Sequence, residues 1–205
     1  MSQDTYQFDK KTSKLETFEW DDIWFEKTSA TPEMRIAYIG DSISRGTRRL
    51  ITALSDGKIL CDGYATSKAL DNPCLFPQLS LFAKQQGHCD AVLFNNGLHG
   101  WHLDDEKDYS ELLEKTLRFL KEEFPSSRLI LVLTTFLANE KQTSRVKSRN
   151  AAALAIAEGL GIEVLDLYSL TEANKELLIE DGVHFKKEGY EKIAAAAIRK
   201  LVEKR

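Results

Sequence analysis

Three short stretches of the chain carry residue types that can do chemistry. The first is Gly40-Asp41-Ser42, placed directly after an apolar run over 35–39. A serine on a glycine-containing turn between a buried strand and a helix can present its hydroxyl as a nucleophile. Its backbone N–H, near a helix N-terminus, can help hold a developing oxyanion. Gly-Asp-Ser is also an ordinary turn and helix-capping sequence, so the stretch has two readings by itself. The second stretch is Asn95-Asn96-Gly97-Leu98-His99-Gly100-Trp101-His102. It reads either as a polar Asn-Gly loop or as a cluster of side-chain donors. His99 and His102 could join Asp181 on a metal, although no His-Glu-x-x-His pattern or neighbouring Cys/His set completes a ligand count. The third is Asp181-Gly182-Val183-His184. A carboxylate three residues before a histidine can reach its Nδ1, fix the tautomer and leave Nε2 to take a proton from a serine.

These stretches need elements to hold them. Residues 35–39 read as a buried strand running into the Gly40 turn, with a helix over 47–54 and a second strand over 58–61. A third strand spans 90–94. Leu112, Leu113, Thr116, Leu117 and Leu120 recur at helical spacing over 109–124, a helix stopped by Pro125. Strands over 128–135 and 163–167 enclose a helix over 144–159, and a last helix covers 187–202. Strands that are continuously apolar and alternate with helices predict a parallel sheet of about five strands covered on both faces. In such sheets ligands bind beyond the carboxyl ends of the strands, which is where Ser42 and the 95–102 loop fall.

The bulk numbers bound the function. The chain has 205 residues, 42% hydrophobic and 29% charged, enough for one domain with a real core. A net charge of -4, with basic residues scattered among acidic ones, gives no footprint for nucleic acid or an anionic membrane. The polar start and the lack of a long apolar stretch predict no leader or membrane span and a cytoplasmic protein. Cys61, Cys74 and Cys89 form no CxxC pair and read as reduced, buried thiols. Residues 1–33, polar but holding Trp20, Trp24 and Phe25, read as an N-terminal arm packed on the domain over 34–205; a tryptophan of that arm reaching the site rim is the sharper reading.

Gly40-Asp41-Ser42 near the start, Asp181-Gly-Val-His184 just ahead of the last helix, and the strand and helix spacing between them together resemble the SGNH hydrolases, also called GDSL esterases and lipases. The resemblance covers roughly 34–203 and implies a three-layer, flavodoxin-like α/β sandwich. It implies Ser42 as nucleophile, with His184 and Asp181 completing a triad, and no metal, nucleotide or redox cofactor. It implies an oxyanion hole from the Ser42 N–H, a glycine N–H after the second strand and an asparagine side chain after the third. This sequence departs from that pattern twice: Ser67 stands on the glycine position, with Gly63 as the weaker substitute, and His99 stands on the asparagine, with Asn95 and Asn96 as substitutes.

The implied activity is hydrolysis of a short-chain ester, such as an O-acetyl group on a carbohydrate, through an acyl-enzyme. The alternative is a non-catalytic carbohydrate- or acyl-binding module on the same scaffold. Trp101 and His102 are candidate substrate-binding residues, and Phe76 and Phe136 further candidate pocket walls. Arg145 and Arg149, four apart, read either as a clamp for an anionic substrate or as a solvated helix face. Oligomeric state is not legible.

Overall fold

The computed structural model describes residues 15–103 and 106–203. Its six strands form one sheet: β1 (Asp21–Trp24), β2 (Met34–Gly40), β3 (Ile59–Thr66), β4 (Ala91–Phe94), β5 (Arg128–Val132) and β6 (Glu163–Leu165), in the order β1-β3-β2-β4-β5-β6. Strands β2 to β6 are parallel, as the alternating pattern predicts, and β1 adds an antiparallel edge against β3. Side chains pointing to either face of the central strands are buried, among them Ile36, Ala37, Tyr38, Val92, Leu93 and Phe94. Both faces are therefore covered, and the fold class expected from sequence is the one observed.

The helices are α1 (Ser42–Leu54), α2 (Leu75–Gln86), α3 (Glu106–Glu123), α4 (Glu140–Leu160), α5 (Leu167–Glu172) and α6 (Lys187–Val202). Helix α1 packs on α6, and α3 packs on both α2 and α4. The α1–α6 contact is close: a Cβ on Gly46 would lie 2.5 Å from the Tyr190 ring. Only a glycine lets the helix that opens with Ser42 approach the helix that follows His184 this tightly.

Three differences from the sequence expectation bear on the site. Strand β3 runs to Thr66 rather than stopping near residue 61, because Asp62 is buried and paired with Arg35 at 2.9 Å instead of marking a loop. Helix α1 begins at Ser42 itself, with Asp41 as N-cap accepting from the Ile43 N–H at 2.9 Å. Residues 21–24 of the expected arm belong to the sheet. The three cysteines are free; Cys61 and Cys89 are buried, and Cys74 is half-buried.

Going from β2, the chain enters β3 on one side and β4 on the other. The crevice between the ends of β2 and β4 is therefore a topological switch point, where α/β sheets bind ligands. Ser42 follows β2 and the 95–103 loop follows β4.

Candidate active site

The structure brings Ser42, His184 and Asp181 together. His184 Nε2 lies 2.7 Å from Ser42 Oγ, and His184 Nδ1 lies 2.7 Å from Asp181 Oδ2. The three arrive from distant parts of the chain: Ser42 opens α1, and Asp181 and His184 stand in the turn before α6. That turn is built by the carboxylate itself. Asp181 Oδ1 accepts from the Val183 N–H at 2.8 Å and the His184 N–H at 2.9 Å, leaving Oδ2 for the imidazole. Gly182 sits at φ +70°, a left-handed conformation that other residues adopt only with strain. Burial, the largest single influence, raises the Asp181 carboxyl, but the two N–H donors and His184 together hold it below the usual carboxylate range. Such a chain fixes the His184 tautomer, with Nδ1–H toward Asp181 and Nε2 accepting from the serine.

Asp41, one residue before Ser42, is buried and does not reach His184 by hydrogen bond. One of its oxygens caps α1 and the other has no protein partner, so burial pushes its carboxyl upward despite the pull of His99 and His184. Asp41 feels the charge of both His99 and His184.

The loop after β4 is held from behind by α4. Arg149, fully buried, donates from Nη1 to the Gly97 and His99 carbonyls at 3.0 and 2.9 Å, and from Nη2 to the Gly100 carbonyl at 2.7 Å. Its guanidinium lies 4.9 Å from the Trp101 ring centre and 4.6 Å from that of Tyr109. Arg145, one turn earlier, donates to the Trp101 and Leu103 carbonyls at 2.8 and 2.5 Å. These two arginines thus bind the protein's own backbone, which corrects both sequence readings of the pair. The missed signal was position: Val146, Arg149, Asn150, Ala153 and Ala157 form the buried stripe of α4, and an arginine on an apolar stripe needs internal acceptors.

Both asparagine substitutes for an oxyanion donor are committed elsewhere. Asn95 Nδ2 donates to the Val132 carbonyl and Thr134 Oγ1 at 2.8 and 3.1 Å, and Asn96 Nδ2 to the Lys68 carbonyl at 2.8 Å. His99 keeps its side chain at the loop surface, one-fifth exposed, with Nδ1 3.7 Å from Glu16 Oε1. His102 Nε2 lies 2.7 Å from Asp71 Oδ2, and the Trp101 ring is faced by Arg145 and Arg149. Phe76 packs edge-on against Phe119, and both line a cleft with Glu111, Glu114, Lys115 and Arg118 of α3, whereas Phe136 packs against Tyr168. His99, His102 and Asp181 have three separate partners, and among the described residues no group of three His, Cys, Asp or Glu is arranged to hold a metal ion.

Ser67 is the clearest correction. Because β3 extends to Thr66, Ser67 continues its ladder: the Ser67 N–H donates to the Trp20 carbonyl at 3.1 Å, and Ser67 Oγ accepts from the Trp20 N–H at 2.9 Å. The backbone donor expected to face an oxyanion is occupied by the segment before β1. Gly63 lies mid-strand, paired with Tyr38 and Trp24, and offers no substitute.

Solved structures that resemble the chain share this architecture. A lipase/acylhydrolase from Enterococcus faecalis matches with TM-score 0.62 and 19% identity, over 82% of this chain and 95% of that one. A lipolytic protein of the G-D-S-L family from Veillonella parvula matches with TM-score 0.65 and 19% identity, over 81% and 97%. The chain has the SGNH hydrolase fold. An acetyl xylan esterase shares that SGNH fold with TM-score 0.64 and 14% identity, over 82% of this chain and all (100%) of its own. No family model and no curated protein matches the sequence. The aligned share of each SGNH structure is nearly complete, while about a fifth of this chain lies outside the match.

Proposed function

We propose that the protein is a serine esterase that hydrolyses a short-chain ester through an acyl-enzyme on Ser42. The observation that carries this reading is the relay Asp181–His184–Ser42, with both links at 2.7 Å at the switch point of the sheet. His184 Nε2 takes the serine proton as Ser42 Oγ attacks the ester carbonyl, and the carbonyl electrons move onto oxygen. Collapse of that intermediate expels the alcohol, which receives the proton from His184. Water, deprotonated by the same imidazole, then releases the carboxylic acid and restores Ser42. The Ser42 N–H, in the first turn of α1, belongs to the donors that a helix leaves without an intrahelical partner. With the Ser67 N–H engaged and the Asn95 amide bonded twice, His99 joins it at the oxyanion in this reading, and the second N–H of the Asn96 amide is the competing donor.

A small acyl group on a carbohydrate is the substrate class favoured by the SGNH likeness to an acetyl xylan esterase, with Trp101 and His102 as the candidate substrate contacts. The test is labelling with a fluorophosphonate probe followed by hydrolysis of p-nitrophenyl acetate, longer-chain esters and acetylated xylan. Ser42 should be the labelled residue, Ser42→Ala should abolish labelling and turnover, and acetyl esters should be preferred. Full turnover in Ser42→Ala would overturn the proposal. The engaged Ser67 N–H favours a second reading, a binding module without catalysis. That module would show no labelling but saturable binding of a sugar or acyl compound. Neither reading involves a membrane span: no helix among the described residues is long and apolar enough to cross a bilayer.

A further inference from the structure

The segment preceding β1 does more than extend the sheet. Glu16 Oε1 accepts from the Gly100 N–H at 2.7 Å and stands 3.7 Å from His99 Nδ1. Three residues on, Glu19 and Trp20 meet Ser67, so the segment spans from the loop after β3 to the loop after β4. We infer that Glu16 is a positioning residue for His99, fixing the ring by its Nδ1 face so that Nε2–H is the group offered to the oxyanion. This rests on the esterase reading given above.

The argument is one of tautomers. With Nδ1 at an ion-pair distance of 3.7 Å from a carboxylate, the field of that carboxylate favours a proton on Nδ1. In the neutral ring Nε2 would then be an acceptor, useless to an oxyanion. Only the doubly protonated imidazolium can face Glu16 with one nitrogen and donate with the other. The surroundings are arranged for that form. Glu16 and Glu19 face His99 from the N-terminal segment and Asp41 from the turn after β2, while Arg149 holds its backbone carbonyl and His102 lies near enough to affect Glu16. Burial alone would drive the imidazole toward neutrality, but these carboxylates outweigh it and raise the affinity of His99 for its proton. Glu16 is correspondingly held below the usual carboxylate range by His99 and the Gly100 N–H, against the opposing effect of burial. The sign for activity follows. His99 is charged and competent at low pH, and competence is lost as pH rises through its pKa.

Glu16→Gln keeps an oxygen for the Gly100 N–H and removes the charge. Followed by NMR, the His99 ring should titrate at lower pH in Glu16→Gln than in the native protein. Turnover of p-nitrophenyl acetate should fall about tenfold with the Michaelis constant unchanged, and the alkaline limb of the pH–rate profile should move toward acid. Glu16→Asp should recover part of the loss. In a His99→Ala background, Glu16→Gln should have no further effect. An unchanged His99 titration and turnover, or a loss that persists undiminished without His99, would overturn the inference. A native protein that fails to label at Ser42 overturns the esterase reading and the positioning role with it, whereas the titration still judges the Glu16–His99 pairing by itself.

Discussion

His184 and His99 differ in what each ring faces. His184 has a carboxylate behind it and a hydroxyl in front, a geometry for moving a proton. His99 has carboxylates around it and its backbone clamped, a geometry for holding a charge still. His99→Ala should accordingly lower turnover on the order of 10²-fold with little change in the Michaelis constant, since a donor used only in the transition state has been removed. His99→Asn, which restores an N–H donor without a charge, should recover much of the loss and flatten the alkaline limb. Equal turnover with a raised Michaelis constant would make His99 a substrate contact instead. Ser42, Asp181 and His184 were legible in the sequence because the geometry between Asp181 and His184 is local and the serine follows a readable strand. Glu16 was not legible. Nothing within its own neighbours in sequence hints at partners 83 and 84 residues away, His99 and Gly100.

The element that decides the shape of the 97–103 loop is α4. Arg149 reaches three carbonyls with a planar fork and lies between two aromatic rings, a set of contacts that a lysine cannot reproduce. Arg149→Lys should therefore cost about 1–3 kcal/mol of stability, read as a drop in the denaturant midpoint. Turnover should fall with it, since His99 would be displaced. A variant with native turnover would show that the loop is held by other means. The strands were read correctly in direction wherever an apolar run forms most of their length, as in β2, β4 and β5. The reading ended β3 early because Asp62 and Gly63 interrupt the apolar run, and pairing of Asp62 with Arg35 is a tertiary fact that no local pattern carries. Helix α2 was legible in principle: Leu75, Leu79, Phe82 and Ala83 are buried at helical spacing, with Pro77 within the first turn, where proline is tolerated.

At the scale of the whole molecule, the boundary drawn at residue 34 falls between two strands of one sheet. Strand β1 is bound to the rest by Asp21, which accepts from Tyr64, Thr66, Lys68 and Gln78, and by Asp22, paired with Arg45 and Arg48 of α1. Trp24 adds contacts with the Arg48 and Arg49 guanidinium groups. The polar composition of residues 1–33 concealed this, because the strand is only four residues long and largely exposed on its outer side. What it covers is the opposite: all eight residues of β3 are buried. Strip β1 away and an eight-residue strand is left with a bare edge of N–H and C=O groups, a template on which a second chain can grow. A chain cut back to Met34 should accordingly elute at larger size, or precipitate more readily, than the full chain. A monomeric, soluble chain from Met34 onward would refute it. The two aspartates at the start of β1 then have a second consequence, as charged guards that keep one molecule from becoming the seed of an aggregate.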